Sequence, residues 1–145
     1  MLELFCKTHH DVLEFGSGGS TIFFAQRTHN VLALEGDRDW HRMVSEEAAK
    51  RGLFNADVRL SPTIDECIAN IGDRKFDIIL VDGSQNRHWS AKYAIRCVKK
   101  DGIVVVDNYD ATYCMNCDVL FTGHLQTAYD DPHWVGKGTK VYYFN

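Results

Sequence analysis

The chain has 145 residues, 45% of them hydrophobic and 25% charged, with a formal net charge of -4. That is one domain's worth of chain, long enough to bury a core and ordinary in composition for a globular protein. It has no basic run for non-specific nucleic-acid binding and no apolar stretch as long as a membrane span, and MLELFCKTHH has no signal-peptide layout. The expected setting is cytoplasmic.

In chain order, a first strand is expected over Val12–Phe15, within DVLEFGSGGSTIFFA. It runs into Gly16, Gly18 and Gly19, and an apolar helical pattern follows at once. Glycine loses much freedom on folding, so this cluster points either to a tight turn or to a ligand lying against bare backbone. A second strand is expected over Val31–Leu34, ending in Glu35 and Gly36. Asp37 then caps a helix to about Arg51, with Trp40, Met43, Val44 and Ala48 on one face. Val58–Leu60 reads as a third strand, with Ser61 behind it. FDIILVD and GIVVVDN place strands over Phe76–Val81 and Ile103–Val106, both nearly unbroken, as strands covered on two faces are.

Between those two strands a helix is expected from about Asn86 to Lys100, with Trp89, Tyr93, Ala94, Cys97 and Val98 on its apolar face. Gln126–Tyr129 and Thr139–Phe144 read as the last two strands. Their link, DDPHWVGKG, has no room for a crossover helix, so they should pair antiparallel. The expected architecture is α/β: a doubly wound, mostly parallel seven-stranded sheet with an antiparallel C-terminal hairpin, helices on both faces, and a single domain over 1–145.

The five cysteines, at 6, 67, 97, 114 and 117, are odd in number and irregular in spacing, unlike a secreted disulfide framework. Cys114 and Cys117 have CxxC spacing, but no second pair exists; His9 and His10 could complete a metal site only by accident of folding. A structural role is expected for this pair.

Against the dinucleotide fingerprint, GSGGST supplies two glycines and puts Thr21 where the third belongs. Glu35 closes the second strand nineteen positions after Gly16, where a carboxylate can accept hydrogen bonds from both hydroxyls of a ribose. Ligands of such sheets bind beyond the carboxyl ends of the strands.

VLEFGSGGST, VLALEGDRDWHRMV and FDIILVDGSQNRHWSAKYAIRCVKKDGIVVVDN together resemble the class I S-adenosylmethionine-dependent methyltransferases, over nearly the whole chain. The resemblance implies an S-adenosylmethionine site built from Glu14, Gly16, Ser17, Gly18, Ser20 and Thr21 at the first turn. Glu35 and Gly36 would serve the ribose, Ser61 the adenine side, and Asp82 the methyl-transfer site. Glu14 either approaches the methionine amino group or only braces the glycine turn. The activity implied is methyl transfer to a small-molecule acceptor at oxygen, without nucleic-acid or membrane partners.

Asp82, Asp107 and Asn108 close neighbouring strands, and oxygen ligands of this kind suit Mg2+ or Ca2+. The catechol-type O-methyltransferases, which the segment resembles at these positions, hold a metal with such a trio. GSQNRHW after Asp82 departs from that group, so the expected chemistry is metal-free, with a divalent ion as the alternative. His88 is a candidate general base, or else a solvated residue of the helix's first turn. About ten residues precede the first strand, so the acceptor pocket is expected to be open or completed by a second subunit of a homo-oligomer. Two other readings remain: a nicotinamide-dependent oxidoreductase, and a non-catalytic cofactor-binding module of a larger assembly.

Overall fold

The computed structural model describes residues 1–83, 86–111, 117–130, 132–134 and 137–145. A single 3-10 turn, Leu2–Phe5, leads into β1 (Asp11–Phe15), α1 (Gly19–Ala25), β2 (Asn30–Glu35), α2 (Arg38–Lys50), β3 (Ala56–Leu60) and α3 (Ile64–Ile71). Then come β4 (Phe76–Val81), α4 (Arg87–Cys97), β5 (Val98–Asp107), the short α5 (Cys117–Leu120), β6 (Leu125–Tyr129) and β7 (Thr139–Phe144). The sheet order is β3-β2-β1-β4-β5-β7-β6. The first five strands run parallel, and β7 pairs antiparallel with both β5 and β6. The terminal hairpin therefore joins the sheet through its second strand.

Strand alternation sorts the core into two layers. Leu13, Phe15, Leu32, Leu34, Ile79, Val81, Val104 and Val106 face Ile71 of α3 and Ala91, Ala94 and Cys97 of α4. Val12, Val31, Ile78, Leu80, Ile103 and Val105 face Phe24 and Ala25 of α1, with Leu2 and Phe5 of the first turn alongside. Burial on both faces is why β4 and β5 carry almost no polar residue in their last turns of sequence. No helix among the described residues is long and apolar enough to cross a membrane.

Three details differ from the sequence reading. The helix α2 starts as expected, with the Asp37 carboxylate accepting from Trp40 N–H at 2.8 Å, but it buries only Val44 and Ala48. Trp40 and Met43 are 46% and 54% exposed. Helix α3 has no counterpart in the sequence reading. Its apolar face is thin, since only Ile71 is buried, and its start is fixed instead by a capping box between Thr63 and Glu66. The helix α4 stops at Cys97, and β5 begins at once with Val98 opposite Phe76.

The pairing of β4 with β5 then slips, jumping to Ile78 opposite Ile103. Asp101 in the left-handed region (φ 65) and Gly102 absorb the irregularity. A Cβ at Gly102 would lie 2.9 Å from the carbonyl oxygens of Asp77 and Lys99 and from Val98 Cγ2. Gly102→Ala should therefore destabilise the chain by about 1–3 kcal/mol, as overpacking does. Denaturant unfolding of the two proteins measures this; equal midpoints would show that the bulge is loose.

Candidate active site

The carboxyl ends of β1 and β4 meet with no side chain between them. Gly83 N–H and Asp82 N–H both donate to the Phe15 carbonyl, at 2.6 and 3.1 Å, and Gly16 N–H donates across to Leu34 at 2.9 Å. Gly16 sits at φ +116, and a Cβ there would be 3.0 Å from Gly83 N. Its glycine is thus required by the neighbouring strand's backbone, whatever lies in front of it.

Behind this turn, Glu14 is completely buried. One carboxylate oxygen accepts from the Ser20 hydroxyl, and the other from Thr21 Oγ1 at 2.6 Å. Thr21 Oγ1 in turn accepts from Gly18 N–H at 2.9 Å, closing the start of α1. Glu14, Ser20, Thr21 and the Gly18 N–H thus form one hydrogen-bonded unit that braces the turn bordering the cleft described next, which is the second of the two roles expected for Glu14. Burial pushes the Glu14 carboxyl up to about 7, against the pull of the two hydroxyls and with a smaller push from Asp82 and Glu35.

A cleft of about 560 Å³ opens at the ends of β1, β2, β3 and β4. Gly16, Ser17, Glu35, Gly36, Ser61 and Asp82 all line it, as do Asp37, Trp40 and Trp89. Glu35 is half-buried; one oxygen accepts from Ser17 Oγ at 2.6 Å and the other from Asp37 N–H at 2.9 Å. Each oxygen keeps a lone pair for a further donor. A Cβ at Gly36 would approach nothing nearer than Pro62 Cα at 4.0 Å, so the wall beside Glu35 is bare backbone. Ser61 is held by its N–H on the Glu35 carbonyl (2.7 Å) and by Asn70 Nδ2 on its hydroxyl (2.9 Å). The Trp40 indole N–H donates to the Ser17 carbonyl at 2.7 Å, which pins the ring over the glycine turn.

Asp82, Asp107 and Asn108 do come together, around Arg87, and of these four residues Asp82 alone lines the cleft. Arg87, only 6% exposed, donates from Nη2 to the Asp82 carbonyl (2.7 Å) and Asn108 Oδ1 (3.3 Å), and from Nη1 to the Asp107 carbonyl. Its Nη2 is also 3.4 Å from Asp82 Oδ1. The Asp107 carboxylate accepts from Thr139 Oγ1 at 2.5 Å. Burial raises the Asp82 carboxyl above its ordinary range, helped by the neighbouring Asp107 and opposed by Arg87. His88 is exposed and does not line the cleft: Asn86, Trp89 and Ser90 carry the face of α4 that does. Cys117 is buried in the core, and Cys114 lies outside the described residues. No set of three or more His, Cys, Asp or Glu is gathered for a metal among the described residues.

No family model and no curated protein matches the sequence. Solved structures do. An rRNA methylase from Streptococcus thermophilus superposes with a TM-score of 0.76 at 14% identity, over 99% of this chain and 90% of that one. Precorrin-6y C5,15-methyltransferase from Geobacter metallireducens gives 0.77 at 13%, over 99% and 84%. A protein assigned as a caffeoyl-CoA O-methyltransferase from Staphylococcus aureus gives 0.77 at 16%, over 99% and 78%. The chain has the class I methyltransferase fold. At these identities the likeness concerns the fold, and the named acceptors differ from one neighbour to the next.

Within the methyltransferase fold, three residues carry more of this site than their sequence context suggested. Trp40 read as part of an apolar helix face and Trp89 as core, yet both border the cleft. The usable signal for Trp40 was its place in the first turn of α2, five residues after Glu35. Arg87 offered no such signal.

Glu14 generates a test of the turn. Between its ordinary 4.5 and about 7, the folded chain holds a proton there that the unfolded chain has released. Stability should therefore fall as pH rises through that window, by about 3 kcal/mol in all. Glu14→Gln is close in shape to the neutral acid and does not titrate, so it should remove this decline. Urea unfolding of both proteins from pH 4.5 to 8 checks it; parallel pH curves would place the Glu14 carboxyl near its ordinary value.

Proposed function

We propose that the chain is an S-adenosylmethionine-dependent methyltransferase acting on a small-molecule acceptor, at oxygen. The observation that carries the reading is the charge and wiring of the cleft. Glu35, Asp37 and Asp82 line it, with no Lys or Arg among its described lining residues. Such a wall favours a ligand carrying a sulfonium and an ammonium over one carrying a pyrophosphate. A dinucleotide would also need free N–H groups at the start of α1, and Thr21 Oγ1 already takes that of Gly18. The nicotinamide reading loses on both counts.

The residues present fit the cofactor. Glu35 offers two acceptor positions to a ribose diol beside the bare backbone of Gly36, and Ser61 and Trp40 flank it. When bound, S-adenosylmethionine supplies a methyl group already activated by positive sulfur. The chain's own task is then to align an acceptor, exclude water and receive a proton. Asp82 suits the last role, because burial raises its proton affinity at the cleft wall. The acidic cleft and the net charge of -4 favour a small acceptor over a phosphate-rich one.

Calorimetry tests the cofactor assignment. S-adenosylmethionine should bind and NAD should not. Glu35→Ala should weaken binding about 10- to 150-fold, the equivalent of about 1.5–3 kcal/mol for a charged acceptor lost from two hydroxyls. Unchanged affinity would remove Glu35 from the ribose. Transfer of a labelled methyl group to a panel of phenols and alcohols then tests the acceptor, and labelling of RNA alone would overturn it.

A further inference from the structure

Arg87 occupies an unusual place for a cation. It is the first residue of α4, where the helix's exposed N–H groups disfavour positive charge, and it is almost wholly buried. What offsets both costs is a set of oxygens from the ends of two neighbouring strands. The guanidinium reaches the carbonyls of Asp82 and Asp107 and the Asn108 side-chain oxygen, with Asp82 Oδ1 at 3.4 Å. Its planar fork suits donation to several fixed oxygens at once. Asn108 itself is held in the left-handed region (φ 52), which an asparagine tolerates and which fixes where its side chain begins.

A divalent ion placed here would need the side-chain oxygens of Asp82, Asp107 and Asn108 at about 2.0–2.6 Å. It would stand against a guanidinium already 3.4 Å from Asp82 Oδ1 and 3.3 Å from Asn108 Oδ1, while the Asp107 carboxylate accepts from Thr139 Oγ1. The trio therefore does not fit a metal while Arg87 is present.

We propose that Arg87 is the positioning cation of the acceptor end: it holds Asp82, Asp107 and Asn108 in place of a divalent ion, so methyl transfer by this chain needs no metal. The second clause rests on the methyltransferase reading; the first does not. One guanidinium among two carboxylates leaves the cluster with an excess of negative charge, which suits it to take up a proton from an acceptor. A divalent ion would leave none.

The test is a titration of the folded chain with Mn2+, followed by calorimetry and by the electron-spin signal of the free ion. Wild type should show no saturable site. Arg87→Met should gain one Mn2+ per chain, with a Kd of about 0.1–1 mM, and lose it again when Asp82→Asn is added. Arg87→Lys, which keeps a charge without the fork, should gain none. A structural arginine would give no such gain of binding on removal. A wild-type Mn2+ site abolished by Asp82→Asn would overturn the proposal, as would a folded Arg87→Met protein that binds no ion. Should Arg87→Met fail to fold, as circular dichroism would show, the wild-type and Arg87→Lys titrations decide. Methyl transfer by wild type should persist in chelator, and transfer lost in chelator and restored by Mg2+ would overturn the second clause. Absence of S-adenosylmethionine binding would instead sink the methyltransferase reading, leaving the metal titrations to stand by themselves.

Discussion

The contact on which the site depends is the approach of two backbones, at Gly16 and Gly83. The Phe15 carbonyl accepts from both Asp82 and Gly83, so the ends of β1 and β4 are tied at one atom. A Cβ on either glycine would press on the other strand's backbone: Gly16 would meet Gly83 N at 3.0 Å, and Gly83 would meet the Phe15 carbonyl at 3.1 Å. The same two strands mark where the order of the sheet reverses, with β2 and β3 on one side and β5 on the other. Chains leaving such a point diverge to opposite faces and open a crevice between them. The cleft lies there because the strand ends are locked there.

Electrostatics then divide the crevice. Behind the turn, Glu14 is buried among hydroxyls and remains uncharged at moderately acid pH, which lets it brace α1 without leaving a naked charge in the core. In front of it, the half-buried Glu35 keeps two hydroxyl-sized acceptor positions open. Beside the Asp82 wall, Arg87 gathers Asp82, Asp107 and Asn108. The carboxyl groups along the crevice thus sit in different settings, fixed by burial and partners rather than by residue type.

Much of the fold was legible in the sequence because its signals are redundant. The strands β4 and β5 are unbroken apolar runs, and Asp37 announces α2. The link after β6 is too short for anything but an antiparallel return. Helix α3 was not legible by periodicity, since it buries one side chain; its capping box was the readable feature. In the site, position along the chain located Glu35, Ser61 and Asp82 at strand ends, but it could not say which way a side chain turns. Glu14 and Thr21 alternate inward, behind the glycines, and a linear motif does not distinguish the two sides of a turn. Arg87 was illegible for a related reason. A first-turn arginine is ordinarily solvated, and only the meeting of β4 and β5 in three dimensions gives it acceptors.

In the proposed cofactor site the Glu35 carboxylate, at the edge of the β1–β4 crevice, receives the ribose of an adenosyl group. A crystal structure with S-adenosylhomocysteine tests it most directly. Both ribose hydroxyls should lie within hydrogen-bonding distance of Glu35, with the sulfur directed toward Asp82. A ribose placed elsewhere, with Glu35 bonded only to Ser17 and Asp37, would contradict the account.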